Sequence, residues 1–159
     1  MAQRFGIGYD VHPLEAGRPM VLGGVVLDSE VGPAGHSDGD AVCHAITDAL
    51  LGAAALGDIG HLFPDTDPQY AGADSVELLR QAVTKLGEAG FTPWNVDVTL
   101  NLERPKVAPH RDAMRANLSA ALGIPVERVS VKATRGEGLG FVGRGEGVSA
   151  MAVASIVEA

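Results

Sequence analysis

Cys43 is the only cysteine among 159 residues. No disulfide can therefore close within the chain, and a structural zinc site built on several thiolates has no basis. The plain reading of Cys43 is an interior thiol on a helix. Aromatic residues make up only 4% of the chain, so packing must rest on Val, Leu, Ala and Ile. No apolar run approaches the ~20 residues needed to cross a bilayer. The opening MAQRFGIGYD lacks the longer apolar stretch of a secretory signal, which makes the cytoplasm the expected location and leaves no membrane partner in view. Basic charge is also scarce: 12 Lys and Arg stand against 20 Asp and Glu, for a net charge of -8. That balance argues against binding a nucleic-acid polymer, whose backbone needs a basic footprint. It leaves phosphate ligands open, because a bound cation or a few local Lys and Arg residues can reverse the field at one site.

What is present is ordinary for a globular protein, with 46% apolar and 20% charged residues and a length that suits one core. A single domain over residues 1–159 is expected. Residues 5–11 read as a first strand, and MVLGGVVLD as a hairpin turning at Gly23 and Gly24. From about residue 38 to 56 the apolar set Val42, Ile46, Ala49, Leu50 and Ala53 recurs at helix spacing. After the polar loop GDIGHLFPDTDPQYAGAD, Asp74 or Ser75 can cap a second helix that reaches about Glu88 and stops near Gly90. Residues 95–102 alternate as a half-buried strand, and residues 111–122 give a third helix. Strands over residues 128–134 and 148–157 flank a glycine-rich loop. The order β, hairpin, α, α, β, α, β, β points to an α+β fold, a mixed β-sheet covered by helices on one face.

The stretch GHSDGDAVCH crowds histidines and aspartates at the entrance to the first long helix. Asp10 and His12, two apart, share one face of the first strand. Asp40 and His44, four apart, would share one face of the helix. If strand end and helix start meet, Asp10, His12 and His44 offer one oxygen and two nitrogens to a metal with a further position open. Two imidazoles suit Zn²⁺ better than Mg²⁺. Asp40 would support that site as an outer carboxylate. Capping and acidic surface decoration is the competing reading of the same residues.

VKATRGEGLGFVGRGEGVSA concentrates glycine where backbone amides could approach an anion. Thr134 could donate a hydroxyl there and Glu137 could hold a second, hard cation. It is no P-loop, since GxxxxGK[ST] is missing, and GIGYDVH is no dinucleotide fingerprint. A tight hairpin region explains the glycines equally, and Arg144 with Glu146 could be a loop ion pair. ERPKVAPH places Lys106 in a proline-stiffened loop, able to read the edge of a flat base or simply to connect two elements.

Taken together, GIGYDVH, GHSDGDAVCHAITDALLGAAALGDIGHLFPDTDP, NVDVTLNLERPKVAPH and VKATRGEGLGFVGRGEG closely resemble the family of 2-C-methyl-D-erythritol 2,4-cyclodiphosphate synthases, enzymes of non-mevalonate isoprenoid synthesis. The resemblance spans nearly the whole chain. It implies a homotrimer with sheets packed around the threefold axis and active sites between subunits. It implies Zn²⁺ on Asp10, His12 and His44, and Mg²⁺ or Mn²⁺ at the substrate diphosphate with Glu137. His36, Ser37, Asp58, Gly60 and Asp65 would join Asp10 and His12 around the phosphates and methylerythritol. Asp40, Thr134 and Arg135 would support the reacting groups, Arg135 standing where the family often has threonine. Leu102, Pro105, Lys106, Val107 and Ala108 would receive the cytidine of a cytidine diphosphate substrate. Arg144 and Glu146 would face the trimer axis, where a cavity could hold an isoprenoid diphosphate. The implied reaction closes a cyclic diphosphate and expels CMP. A metal-dependent phosphohydrolase, or a trimeric protein that only binds metal or isoprenoid phosphate, would share many of these features.

Overall fold

Fourteen residues, Gln3–Ala16, form strand β1 in the computed structural model, which describes residues 2–159. Gly6 and Gly8 explain how tightly β1 meets the first helix. A Cβ on Gly6 would lie 1.9 Å from the carbonyl oxygen of Ala49, and one on Gly8 1.9 Å from that of Ala45. Only glycine lets strand and helix backbones approach so closely. The glycines of GIGYDVH therefore serve helix-on-sheet packing.

The strand runs further than residues 5–11. Pro13 looks like a turn in the sequence, yet it pairs with Gly147, and its carbonyl accepts the Ala34 amide. Beyond it, Leu14, Glu15 and Ala16 pair with β4, Val31–Pro33, a short edge strand that the sequence did not announce. Strands β2, Met20–Leu22, and β3, Val25–Leu27, form the expected hairpin. Gly23 and Gly24 turn it with φ of 58° and 73°, the left-handed pair that a two-residue hairpin turn requires.

Helix α1 spans Ala41–Ala53, starting three residues later than its apolar period suggested. Asp40 is the N-cap. Its carboxylate accepts the amide of Cys43 and those of Gly23 and Gly24, so one buried side chain ties the hairpin turn to the helix start. The short helix α2, Ile59–Leu62, lies within the polar loop. Helix α3, Ser75–Glu88, is capped by Asp74 and buries Val76, Leu79 and Leu86, with Gly90 following at φ 89°. Strand β5, Phe91–Asn101, absorbs Pro93 through a register irregularity between Pro93 and Asn95. Helix α4, Arg111–Leu122, leads to β6, Val129–Thr134. The four-residue helix α5, Gly140–Gly143, sits in the glycine-rich loop before β7, Gly147–Glu158.

The five-stranded sheet has order β4-β1-β7-β5-β6; β5 and β6 are parallel and the other pairings antiparallel. Helices α1, α3 and α4 cover one face. Toward them point Val96, Val98 and Leu100 of β5 and Val148, Ala150, Ala152, Ala154 and Ile156 of β7, all essentially inaccessible. The mixed sheet with helices on one face is the α+β architecture expected. Among the described residues no helix is long and apolar enough to cross a membrane.

Candidate metal centre and adjoining clefts

Alternation along β1 sends Asp10 and His12 to the helix side, and the first turn of α1 brings His44 to meet them. Asp10 Oδ2 lies 2.6 Å from His12 Nε2 and 3.1 Å from His44 Nδ1. The two imidazole nitrogens are 3.3 Å apart, and one ligand atom from each residue falls within 4.8 Å of the others.

The remaining ring nitrogens fix where the protons reside. His12 Nδ1 faces the carbonyl oxygen of Ala34 at 2.9 Å. A carbonyl only accepts, so Nδ1 carries the hydrogen and Nε2 presents a lone pair. His44 Nε2 lies 2.7 Å from Ser75 Oγ and 3.1 Å from Ser37 Oγ. The Ser75 hydroxyl donates to Asp38, which also accepts the Ser75 amide. Ser75 can then only accept from His44, so Nε2 carries a hydrogen and in the neutral ring Nδ1 is bare. In their neutral forms the two imidazoles therefore turn lone pairs toward the Asp10 carboxylate oxygen, a donor set that a shared cation would suit.

Burial pushes the Asp10 carboxyl up, but its hydrogen bonds to His12 and His44 and their positive fields outweigh it and hold it below the usual carboxylate range. Burial pushes His44 down, yet its bond to Asp10 and the fields of Asp10, Asp40 and Asp38 bring it above the usual histidine value. Each group thus favours charge because of the other. The Asp40 carboxylate makes no hydrogen bond to the cluster. As the N-cap it meets His44 through the backbone, its carbonyl accepting the His44 amide at 3.0 Å. Burial raises its carboxyl more than the amides of Gly24, Cys43 and Gly23 lower it. Cys43 is fully buried, and burial carries its thiol well above the usual range, as befits an inert interior group.

A cleft of about 390 Å³ opens beside the cluster and gathers His12, His36, Ser37, His44, Gly60 and Asp65 with the apolar Ile59, Phe63, Tyr70 and Leu78. Its outer wall is held by His36 Nε2 against the Asp67 carbonyl and by an edge-to-face contact of Phe63 with Tyr70. Asp58 is the N-cap of α2, bonded to the His61 amide, and borders a neighbouring shallow depression. Asp48, one turn beyond His44, accepts the Ile59 amide at 2.7 Å and so anchors this loop to α1. Nothing in the local sequence pairs Asp48 with residue 59.

A second cleft, of about 280 Å³, brings together Leu102, Pro105, Lys106, Val107 and Ala108 with Thr134 and Arg135. Glu137 is exposed, with φ 54°, and stands outside any cluster of cation-binding groups among the described residues. Arg144 and Glu146 form an exposed ion pair at 2.7 Å. Register places the two clefts apart. Asp10 faces Ala150, Ala150 faces Leu100, and Leu100 faces Ala133. Three strand spacings, roughly 14 Å, separate β1 from β6. Ser75 and Glu103 are the interior polar groups whose roles local sequence did not reveal.

An α+β protein with one carboxylate and two imidazoles gathered at the junction of strand and helix is the class that fold and site define. The chain matches the YgbB family over residues 3–157 and belongs to it. It is 57% identical over 154 residues to the 2-C-methyl-D-erythritol 2,4-cyclodiphosphate synthase of Burkholderia thailandensis, covering 97% of this chain and 95% of that one. Against the same enzyme of Burkholderia mallei the identity is 56% over 154 residues, with the same coverage. Among solved structures, a CDP-bound 2C-methyl-D-erythritol-2,4-cyclodiphosphate synthase superposes with TM-score 0.89 at 44% identity, covering 97% of this chain and all of that one. The bifunctional IspDF of Campylobacter jejuni gives TM-score 0.95 at 42% identity over 99% of this chain, which spans only 43% of that longer protein. The CDP complex of IspF from Plasmodium falciparum gives TM-score 0.86 at 31% identity, covering 99% of this chain and 97% of that one.

Proposed function

We propose that the chain is a single-domain, metal-dependent lyase converting 4-diphosphocytidyl-2-C-methyl-D-erythritol 2-phosphate into 2-C-methyl-D-erythritol 2,4-cyclodiphosphate and CMP. An oxygen of the 2-phosphate attacks the β-phosphorus, and the bond from that phosphorus to the CMP oxygen breaks. The observation that carries this reading is the convergence of one carboxylate oxygen and two imidazole nitrogens from Asp10, His12 and His44, in a chain whose relatives bear the synthase name across nearly their whole length.

Asp10, His12 and His44 would hold Zn²⁺, and Glu137, as a lone exposed carboxylate, would share Mg²⁺ or Mn²⁺ with the substrate diphosphate. When bound, these cations supply Lewis-acid polarisation of the β-phosphate and offset the charge that develops on departing CMP. The chain's own groups do the positioning. His36, Ser37, Asp58, Gly60 and Asp65 fix the methylerythritol end, and Phe63, Tyr70 and Leu78 keep water from the reacting phosphorus. Leu102, Pro105, Lys106, Val107 and Ala108 receive the cytosine, while Thr134 offers a hydroxyl to the diphosphate. No protein nucleophile is needed, in keeping with a buried Cys43.

The two clefts lie apart toward opposite edges of one sheet, which favours a site assembled from two protomers. Phe5, Ile7, Tyr9, Val11, Met151 and Val153 leave the sheet's outer face apolar and exposed. Those observations support self-association through the sheet; the family resemblance is what makes the proposed assembly a homotrimer with sheets around a threefold axis, Arg144 and Glu146 toward that axis, and a central cavity for an isoprenoid diphosphate.

The test is turnover of the cytidine substrate by metal-free protein, with Zn²⁺ and Mg²⁺ restored singly and together. Stoichiometric CMP with cyclic diphosphate is expected only with both; a linear product would instead mark water as the attacking group and a phosphohydrolase. His44→Ala should abolish turnover and cation binding while far-ultraviolet circular dichroism stays that of the folded chain.

A further inference from the structure

Asp40, His44 and Glu103, with the inert thiol of Cys43, are the charged or titratable side chains buried among the described residues. Asp40 caps α1 and His44 joins the cation cluster, whereas Glu103 has no part in the chemistry above. Its side chain is only 6% exposed, and both carboxylate oxygens are engaged. Oε2 accepts the Gly136 amide at 2.8 Å, and Oε1 accepts Arg135 Nη2 at 3.0 Å. One residue earlier, the Leu102 amide donates to the Thr134 carbonyl at 3.0 Å. Consecutive residues at the end of β5 thus hold consecutive residues leaving β6.

The loop so held is tightly constrained. A Cβ on Gly136 would lie 2.4 Å from the Gly143 amide nitrogen, so its backbone is pressed against α5 and cannot turn freely. Next comes Glu137 at φ 54°, a left-handed conformation that a non-glycine residue keeps only when its surroundings enforce it. Burial by itself would push the Glu103 carboxyl up, but the Gly136 amide and Arg135 guanidinium overcome this and hold it below its usual value. A charged Glu103 suits both contacts, and the guanidinium offsets a negative charge that would otherwise stand in the wall of a cleft meant for an anion.

We propose that Glu103 is a positioning residue that locks residues 134–137 into the shape needed to receive the diphosphate of a cytidine nucleotide. It joins the base-receiving side of the cleft to the phosphate-receiving side, and Arg135 serves as its charge partner. This inference rests on the functional reading above, in that it takes the cleft as the nucleotide site.

The test compares equilibrium binding of CDP and of cytidine, which lacks phosphates, to the full zinc-loaded protein and its variants. For Glu103→Ala the expected result is CDP binding weakened about tenfold, the size of a lost charge-assisted hydrogen bond, with cytidine affinity held within about twofold. Glu103→Gln, which keeps an acceptor for the Gly136 amide, should recover most of the loss and stay about threefold weaker than the unaltered protein for CDP. Unchanged or tighter CDP binding in Glu103→Ala, or equal weakening of CDP and cytidine, would overturn the proposal. Should Glu103→Ala fail to fold, Glu103→Gln decides, and CDP affinity equal to that of the unaltered protein would overturn it. If the unaltered protein bound no CDP, the functional reading itself would fall.

Discussion

Ser75 shows how much of a metal centre lies outside its ligands. Its amide and hydroxyl are tied to Asp38, and its oxygen receives the His44 ring N–H, so it sets both the tautomer and the tilt of that ring. Ser75→Ala should lower Zn²⁺ affinity by roughly 10–100-fold, the usual cost of losing such support, while the fold persists. Metal competition against a chelator would measure this, and an unchanged affinity would show that Ser37 alone suffices. The convergence of Asp10, His12 and His44 was legible in the sequence, because two periodicities place them on facing sides of a strand and a helix. Asp40 stands at the helix boundary, where its carbonyl accepts the His44 amide and its carboxylate turns to three backbone amides, contacts that side-chain spacing alone does not reveal. Ser75 was legible as a capping candidate but not as a partner of a histidine thirty-one positions away. Glu103 gave no local signal at all, since its partners lie across a βαβ crossover.

The pairing of β1 with α1 is decided by glycine. A methyl group on Gly8 would meet the Ala45 carbonyl oxygen at 1.9 Å, and the nearby atoms are backbone atoms that cannot rotate aside. Gly8→Ala should therefore force the helix from the strand and cost about 3 kcal/mol, toward the upper end of overpacking effects. Thermal or denaturant unfolding would measure this, and a loss under about 0.5 kcal/mol, the range of harmless surface changes, would contradict the close approach. The same displacement would move His44 away from Asp10 and His12, so cation affinity should fall along with stability. Long elements were legible from their periods, α3 and α4 almost to the residue. The edge strand β4 and the short helices α2 and α5 were not. Each is three or four residues long, and tertiary contacts rather than propensity hold it.

For the whole molecule, the exposed side of the sheet matters most. Ile7 faces Val153 and Tyr9 faces Met151 across β1 and β7, and all four side chains are between 45% and 66% exposed. An apolar patch of this kind marks an association surface. If the site is assembled from two protomers, Ile7→Lys should yield single chains in light scattering and abolish turnover; single chains with full turnover would refute the shared site. The helix-covered side was legible from alternation and composition, whereas the expectation of a covered outer side came only from family resemblance, as no partner is encoded in a strand's own period. On β1 the even positions carry the close glycines and the cation ligands, and the odd positions carry the apolar patch. Deleting one residue between 5 and 9 would reverse the inward and outward assignments of every residue on one side of the gap relative to the other. The candidate cation cluster and the apolar patch thus share one reading frame, and the length of this strand is as constrained as the identity of any residue in it.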